Sequence, residues 1–242
     1  MLFNSPFFIF VFLPVVVFTF KLLGIRGHCR AAIAWLVSAS LFFYGWWNPS
    51  YLILICVSLV FNYTLGSRIV INRSKLAMAV GVCVNLCLLG YYKYANFFVD
   101  NVNPIFGTDY NLERIVLPLA ISFFTFEQIS YLVDSYRGNS RKYLFFDYCL
   151  FVVFFPQLIA GPIVHHHEMI PQFENKRLYQ FRLHHLLIGL TIFFIGLFKK
   201  VGIADTVALY VTPVFDAALS GTSALSFFAA WGGAVAYAFQ LY

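Results

Sequence analysis

Charged residues are scarce in this 242-residue sequence. Only 11% of the residues are Asp, Glu, Lys or Arg, whereas 61% are hydrophobic and 20% are aromatic. A soluble domain carries roughly 25% charged residues, so the composition excludes that class. The apolar runs do not alternate with a period of two, which argues against a transmembrane barrel. The composition therefore predicts an all-α, polytopic helical membrane protein.

Several chemical signatures are also missing. The sequence has no internal repeat, phosphate-binding glycine loop, nucleophile elbow or HExxH helix. Its five cysteines lack CxxC pairs and are predicted to be small packing residues. The net charge of +6 lies mostly in loops, where it orients membrane spans. We therefore expect no bound cofactor, no metal site and no nucleic-acid partner, and we expect the lipid bilayer as a partner.

Long apolar runs predict about eight or nine membrane segments within a single transmembrane domain over residues 1–242. Loops 21–30, 67–75 and 134–142 are basic, whereas loop 93–114 is acidic. Because cytoplasmic loops are enriched in Lys and Arg, the basic loops should lie inside and the N-terminus outside. The predicted segments are 6–23, 31–47, 51–66, 76–92 and 115–133, followed by 186–203, 206–219 and 224–242.

The stretch 143–164 does not fit this alternation. Pro156, Gly161 and Pro162 interrupt an apolar run that also contains Gln157. Proline breaks a helix, and irregular backbone at membrane depth persists only where protein or a water-filled cavity satisfies its polar groups. The pattern indicates either a re-entrant or interfacial segment beside a functional cavity, or a surface loop between two spans. The sequence pattern leaves both open.

Polar residues lie inside the other apolar runs. Glu127 and Gln128 occur in run 115–133, and ionisable groups at such depth usually face a bundle interior or a cavity. Glu127 is therefore a candidate functional residue, or it lies near an interface or pairs with a neighbouring helix through Lys93. Asn62 and Asn85 are expected to form hydrogen bonds between helices.

Two groups of adjacent histidines are candidate binding sites. His165, His166 and His167 could ligate a metal, but consecutive histidines on a regular helix cannot all face one ion, and no carboxylate accompanies them at a standard spacing. A polar loop is the favoured interpretation. His184 and His185 could contact anionic lipid, although a solvated loop is favoured there too.

Six collinear blocks resemble the bacterial membrane-bound O-acyltransferase (MBOAT) family, in the branch of the alginate O-acetyltransferase membrane subunit. The resemblance extends along essentially the whole chain. The blocks are WNPSYL at 47–52, NYTLG at 62–66, YYKYANFF at 91–98, LPLAISFFTFEQISYLVDSYRG at 117–138, FFPQLIAGPIVHHHEMIPQF at 154–173 and GLFKKVGIAD at 196–205.

The resemblance implies a ring of helices around a funnel and a narrow tunnel in the bacterial inner membrane. Through it an acyl group passes from a cytoplasmic donor, acetyl-CoA or another acyl donor, to a cell-surface polysaccharide such as alginate. The resemblance also implies periplasmic acetyltransferase-type partner proteins. A rival interpretation is a non-catalytic acyl-group conduit or scaffold subunit that works with a periplasmic transferase.

The family's catalytic histidine lies in an RRWH-like motif that follows a DFSGYSDMA-like block. Neither occurs here, and AYAFQLY at 236–242 is similar to the lead-in to the first, so the histidine is expected beyond Tyr242. The resemblance thus predicts an N-terminal portion that is truncated before the catalytic histidine and carries no catalytic residue. The tunnel-lining or supporting candidates are the family's QxxxGP positions and the two buried polar residues of run 115–133, namely Gln157, Gly161, Pro162, Glu127 and Gln128.

Overall fold

The computed structural model describes residues 1–46, 48–107, 115–159, 161, 164–221 and 226–241. These residues form helices joined by short connections and contain no strand, so the all-α prediction is confirmed for the part of the chain that is described. The chain divides into two compact units. The first comprises residue 1 and residues 13–180, and the second comprises residues 2–12 and 181–242.

The first unit contains most of the helices. They are α1 Leu13–Ile25, α2 Cys29–Gly45, α3 Ser50–Asn72, α4 Lys75–Phe106, α5 Ile121–Arg137, α6 Phe145–Val153, α7 Phe155–Leu158, α8 His166–Glu174 and a 3-10 helix at Lys176–Tyr179. Helix α5 packs against α3, α4 and α6, while α2 packs against α1, α6 and α7. The side chains of α5 therefore reach several neighbours.

The second unit contains two stretches of π-helix among its helices. They are the π-helix Phe8–Phe12, α9 Leu183–Phe198, the π-helix Lys199–Ala204, α10 Asp205–Ser220 and α11 Phe227–Leu241. Helix α10 packs against α11. The last predicted segment, 224–242, thus contains α11, while its final residue, Tyr242, lies outside the described residues.

Four helical runs in the described part of the chain are long and apolar enough to cross a bilayer. They are Phe8–Ile25, Ser50–Asn72, Lys75–Phe106 and Leu183–Ser220. Shorter apolar helices occur at Cys29–Gly45, Phe145–Leu158 and Phe227–Leu241. The predicted total of eight or nine segments stays a prediction, as do the inside and outside assignments.

Two of the predicted loops are largely helical. Helix α3 continues beyond residue 66 to Asn72, and the chain turns only at Arg73, which has φ +49°, and Ser74, whose hydroxyl accepts a hydrogen bond from the α4 backbone. Helix α4 runs through the first part of loop 93–114 and ends at Gly107, with φ +62°. Charged residues in these stretches led to the wrong boundaries, because Lys and Arg are themselves good helix formers.

The predicted boundaries of two later runs are also wrong. Helix α5 begins at Ile121 rather than 115, because the Asn96 side chain bonds both the N–H and the C=O of Ile115 and holds that backbone outside a helix. The segments 186–203 and 206–219 are not separate: Leu183–Ser220 is one helical run of 38 residues. A π-helical stretch, rather than a loop, lies where the break was expected.

The C-terminal end of α5 is capped by a distant arginine. Arg73 donates hydrogen bonds to the carbonyls of Ser135 at 3.3 Å and Tyr136 at 3.1 Å. A cation at this position satisfies carbonyls that lack partners within the helix and opposes the negative end of the helix dipole. The next residue after the helix, Gly138, has φ +93°. The arginine thus connects the α3–α4 turn to the end of α5.

Helices α3 and α5 approach closely at Gly66. A Cβ added there would lie 2.2 Å from Cε1 of Tyr131, whose side chain is fully buried. The Tyr131 ring also lies 4.7 Å from the ring of Tyr148, so it has little room to move. The close approach of small residues is a common basis of helix packing in membranes.

We expect Gly66→Ala to destabilise the first unit by about 1–3 kcal/mol, because the new methyl group overlaps a ring that cannot move aside. The matched control is Gly90→Ala in α4, where nothing lies within 4 Å of the added Cβ. That change should be neutral or stabilising by up to about 1 kcal/mol. Thermal unfolding of the purified protein in detergent measures both, and equal midpoints for the two variants would refute the packing argument.

Candidate functional site

Two of the predicted site residues, Glu127 and Gln128, lie in α5, whereas Gln157 lies in α7 and Gly161 follows it. Glu127 and Gln128 are both buried, with exposed fractions of 4% and 0%. Successive residues of a helix point about 100° apart, so these two side chains face different neighbours. Each therefore has its own set of partners.

Gln128 faces α3. Its Oε1 accepts hydrogen bonds from Ser58 Oγ and from Asn62 Nδ2, both at 2.7 Å. Asn62 and Asn85 exchange hydrogen bonds in both directions, at 3.2 and 2.6 Å, which joins α3 to α4. The predicted role of the two asparagines between helices is confirmed. We call these four residues the amide network.

Glu127 faces α7, which follows the helix break at Phe154; we call the stretch 143–164 the interrupted segment. Oε1 of Glu127 accepts a hydrogen bond of 3.0 Å from Nε2 of Gln157, in α7. The structure thus brings together two of the predicted site residues that are distant in the sequence. The suggested partner Lys93 instead lies over the Tyr94 ring, at 5.4 Å from its centroid.

The interruption itself follows from the sequence. Pro156 lies in the first turn of α7, where a missing N–H costs little. The N–H of Phe155, also in that turn, donates to Ser40 Oγ at 3.2 Å, and both residues are buried. Ser40, in α2, therefore supplies the partner that irregular backbone needs within an apolar environment.

Gly161 closes the turn after α7. Its N–H donates to the carbonyl of Gln157 at 2.9 Å, and a Cβ added to it would lie 2.7 Å from Gln157 Cα. Only glycine fits so close to that backbone. Pro162, the remaining predicted site residue, lies outside the described residues.

The two ends of the predicted re-entrant segment meet. The hydroxyl of Tyr143, just before α6, lies 3.0 Å from Nδ1 of His166, at the start of α8. A segment with adjacent ends does not run from one side of a bilayer to the other. The geometry favours the re-entrant interpretation over a complete crossing.

The expectation of a polar histidine loop is wrong for two of its three members, because His166 and His167 belong to α8. The loop expected at His184 and His185 is also helical, because both residues belong to α9. His165 and His167 are exposed, but His166 is completely buried. Its Nε2 lies 3.3 Å from Oδ2 of Asp134, at the end of α5. Burial lowers the pKa of His166, an effect that the neighbouring Asp134 carboxylate opposes. The sequence carried no signal for this pair, because the partners are far apart in the chain.

The cysteine prediction holds only in part. Cys149 is buried in α6, whereas Cys56, Cys83 and Cys87 are exposed and Cys29 is intermediate. A shallow pocket of about 170 Å³ lies between α6 and α8, lined by Asp147, Leu150, Phe151, Met169, Ile170 and Phe173. It is an open surface depression rather than an enclosed cavity, and it contains none of the predicted site residues.

We expect Asn62→Leu to destabilise the first unit by about 1–3 kcal/mol, because it removes the donor to Asn85 Oδ1 and one of the two donors to Gln128 in a buried network. Asn85 Nδ2 keeps its bond to the Gly81 carbonyl. The matched control is Thr64→Ala on the exposed face of the same helix, which should change stability little. Unfolding midpoints in detergent compare the two. Equal effects would contradict a stabilising role for the network.

Comparisons with known proteins identify the family and several relatives. Residues 41–242 match the model of the membrane-bound O-acyltransferase family. The whole chain is 42% identical to the peptidoglycan O-acetyltransferase of Helicobacter pylori, of which it covers 51%. It is 41% and 39% identical to the probable alginate O-acetylases AlgI of Pseudomonas aeruginosa and Azotobacter vinelandii, of which it covers 46% and 48%.

The chain spans about half the length of these relatives. The location of the catalytic histidine beyond Tyr242 stays a prediction, because Tyr242 is the last residue of this sequence. No solved structure matches the chain. The family match extends over far more than half of the chain, and the relatives align along all of it. The chain belongs to the membrane-bound O-acyltransferase family.

Proposed function

We propose that the complete protein is an O-acetyltransferase that moves an acetyl group from a cytoplasmic donor, acetyl-CoA or a derived acyl carrier, to a glycan hydroxyl outside the membrane. The observation that carries this proposal is the similarity of the whole chain to relatives named as O-acetyltransferases or O-acetylases of two different glycans. The bacterial inner membrane is the corresponding location, with the N-terminus outside.

The reaction is an acyl transfer. The glycan hydroxyl oxygen attacks the carbonyl carbon of the acetyl thioester, a C–O bond forms, the C–S bond breaks and the thiolate leaves. A base takes the hydroxyl proton, and a polar environment stabilises the oxyanion that forms on the carbonyl. In the family the base is the histidine of the RRWH-like motif, which does not occur among the residues of this chain.

The residues of this chain have a positioning role in the proposal. Glu127 holds Gln157 through a hydrogen bond, and Gly161 packs directly on the backbone of Gln157. These contacts fix the interrupted segment, which carries the family's QxxxGP block. In an acyl transferase, a displacement of about 1 Å in a positioning element can reduce the rate about 100-fold.

The acceptor is a glycan in this proposal, either a polysaccharide such as alginate or peptidoglycan. Both are polyhydroxylated chains outside the inner membrane, and the relatives' names divide between them. Periplasmic transferase-type partners would receive or direct the acetyl group. The rival function is a conduit that passes the acetyl group to such a partner without catalysing the transfer itself.

We expect Glu127→Ala and Gln157→Ala each to lower acetyl transfer by the complete protein roughly tenfold, and the double variant to be no worse than either single one, because the two side chains act through one shared contact. Glycan-bound radiolabelled acetate, measured in cells that contain equal amounts of each variant in the membrane, reports the rate.

The control for this experiment is Gln172→Ala, an exposed glutamine in α8. It should leave transfer unchanged. Full activity in both single variants would overturn the positioning role. The histidine-to-alanine change in the RRWH-like motif separates the two functions: loss of transfer supports the enzyme, whereas retained transfer supports the conduit.

A further inference from the structure

Three potential metal ligands converge where α5 ends and α8 begins. Asp134 Oδ2, His166 Nε2 and a ring nitrogen of His167 belong to two elements that are distant in the sequence. One ligand atom from each of the three residues lies within 4.8 Å of the other two. This cluster lies outside both the amide network and the Glu127–Gln157 contact.

Two of these atoms are buried and poorly aligned for a hydrogen bond to each other. The imidazole of His166 is 0% exposed, and its Nε2 lies 3.3 Å from Asp134 Oδ2. Neither atom makes a well-aligned hydrogen bond to a described residue; each lies within ion-pair distance of the other, and Asp134 Oδ2 is also 3.9 Å from Nδ1 of His165. Because buried polar atoms almost always have well-aligned partners, this contact is poorly satisfied. A cation between them would satisfy both.

The distances suit a tetrahedral ion. Zinc binds imidazole nitrogen and carboxylate oxygen at about 2.0–2.2 Å, which places neighbouring ligand atoms of a tetrahedron about 3.3–3.5 Å apart. Asp134 Oδ2 and His166 Nε2 are 3.3 Å apart. The His167 nitrogen lies within 4.8 Å of both atoms and would move closer to them on metal binding.

The outer contacts of the cluster also fit. The second ring nitrogen of His166, Nδ1, lies 3.0 Å from the hydroxyl of Tyr143. A metal-binding histidine usually directs its other ring nitrogen to a hydrogen-bond partner, which fixes the ring and leaves the ligand nitrogen available. The positive N-terminus of α8 disfavours a nearby cation, and the negative charge of the Asp134 carboxylate opposes that effect.

We propose that Asp134, His166 and His167 form a binding site for a divalent transition metal of the zinc class. Two imidazoles and one carboxylate leave the fourth position open to water. The metal would fasten the end of α5 to the start of α8 and hold together the two ends of the interrupted segment. The sequence argument against a metal concerned all three histidines and a nearby carboxylate, whereas this site uses two of the histidines and a carboxylate from a different element.

The test uses the complete protein, purified in detergent and stripped with a chelator, with Zn²⁺ itself as the probe. Competition against a chromophoric chelator measures stoichiometry and affinity, and Co²⁺ substitution measures the visible absorption of a tetrahedral site. The wild type should bind Zn²⁺ with at least tenfold higher affinity than Asp134→Asn and His167→Ala. The thermal midpoint should rise with Zn²⁺ in the wild type and much less in these variants.

Two of the variants allow loss of metal binding to be distinguished from loss of folding and from loss of any surface histidine. His167 is exposed, so His167→Ala should fold normally even if a change at His166 does not. The matched control is the double variant His184→Ala/His185→Ala, which removes two exposed histidines that are adjacent in the sequence of the second unit. It should bind Zn²⁺ like the wild type. Unchanged affinity in Asp134→Asn and His167→Ala, or a loss in the control alone, would overturn the proposal.

Discussion

The hydrogen bond from the Phe155 N–H to the Ser40 hydroxyl allows a helix to be interrupted inside an apolar bundle. Where lipid replaces water, each unpaired backbone group costs several kcal/mol, so an interruption requires a partner from the protein. Ser40 is completely buried in α2 and provides that partner. The positions of Gln157 and Gly161 depend on this contact because they follow the break directly.

Helix α5 then connects the interruption to the rest of the first unit. Two adjacent residues of α5 make these connections. Gln128 bonds to Asn62 of α3, which in turn bonds to Asn85 of α4. Glu127 accepts a hydrogen bond from Gln157 of α7. A shift or rotation of α5 would disturb both sets of contacts at once. The arginine cap and the close approach at Gly66 oppose such a shift, so α5 is held in place against both the bundle and the segment.

The sequence allowed the helical class, the interruption and the interhelical role of Asn62 and Asn85 to be predicted, because each has a local signature. The partner of Glu127 was predicted wrongly, because Gln157 and not Lys93 bonds to it. Prolines mark the break, and intramembrane Asn, Gln and Glu require partners. Helix ends were predicted poorly where charged residues continue a helix, as in α3 and α4. Burial of His166 could not be predicted, because it depends on Asp134, which only the tertiary fold brings near.

The paired ends of the interrupted segment limit how far it reaches. Helix α6 has nine residues, and at about 1.5 Å per residue it extends about 13 Å from the end that Tyr143 and His166 fix. The hydrocarbon core of a bilayer is about 30 Å thick. A segment that enters from one face and stops at that depth places its tip near the midplane. The Glu127–Gln157 contact would then lie about equally far from both aqueous phases.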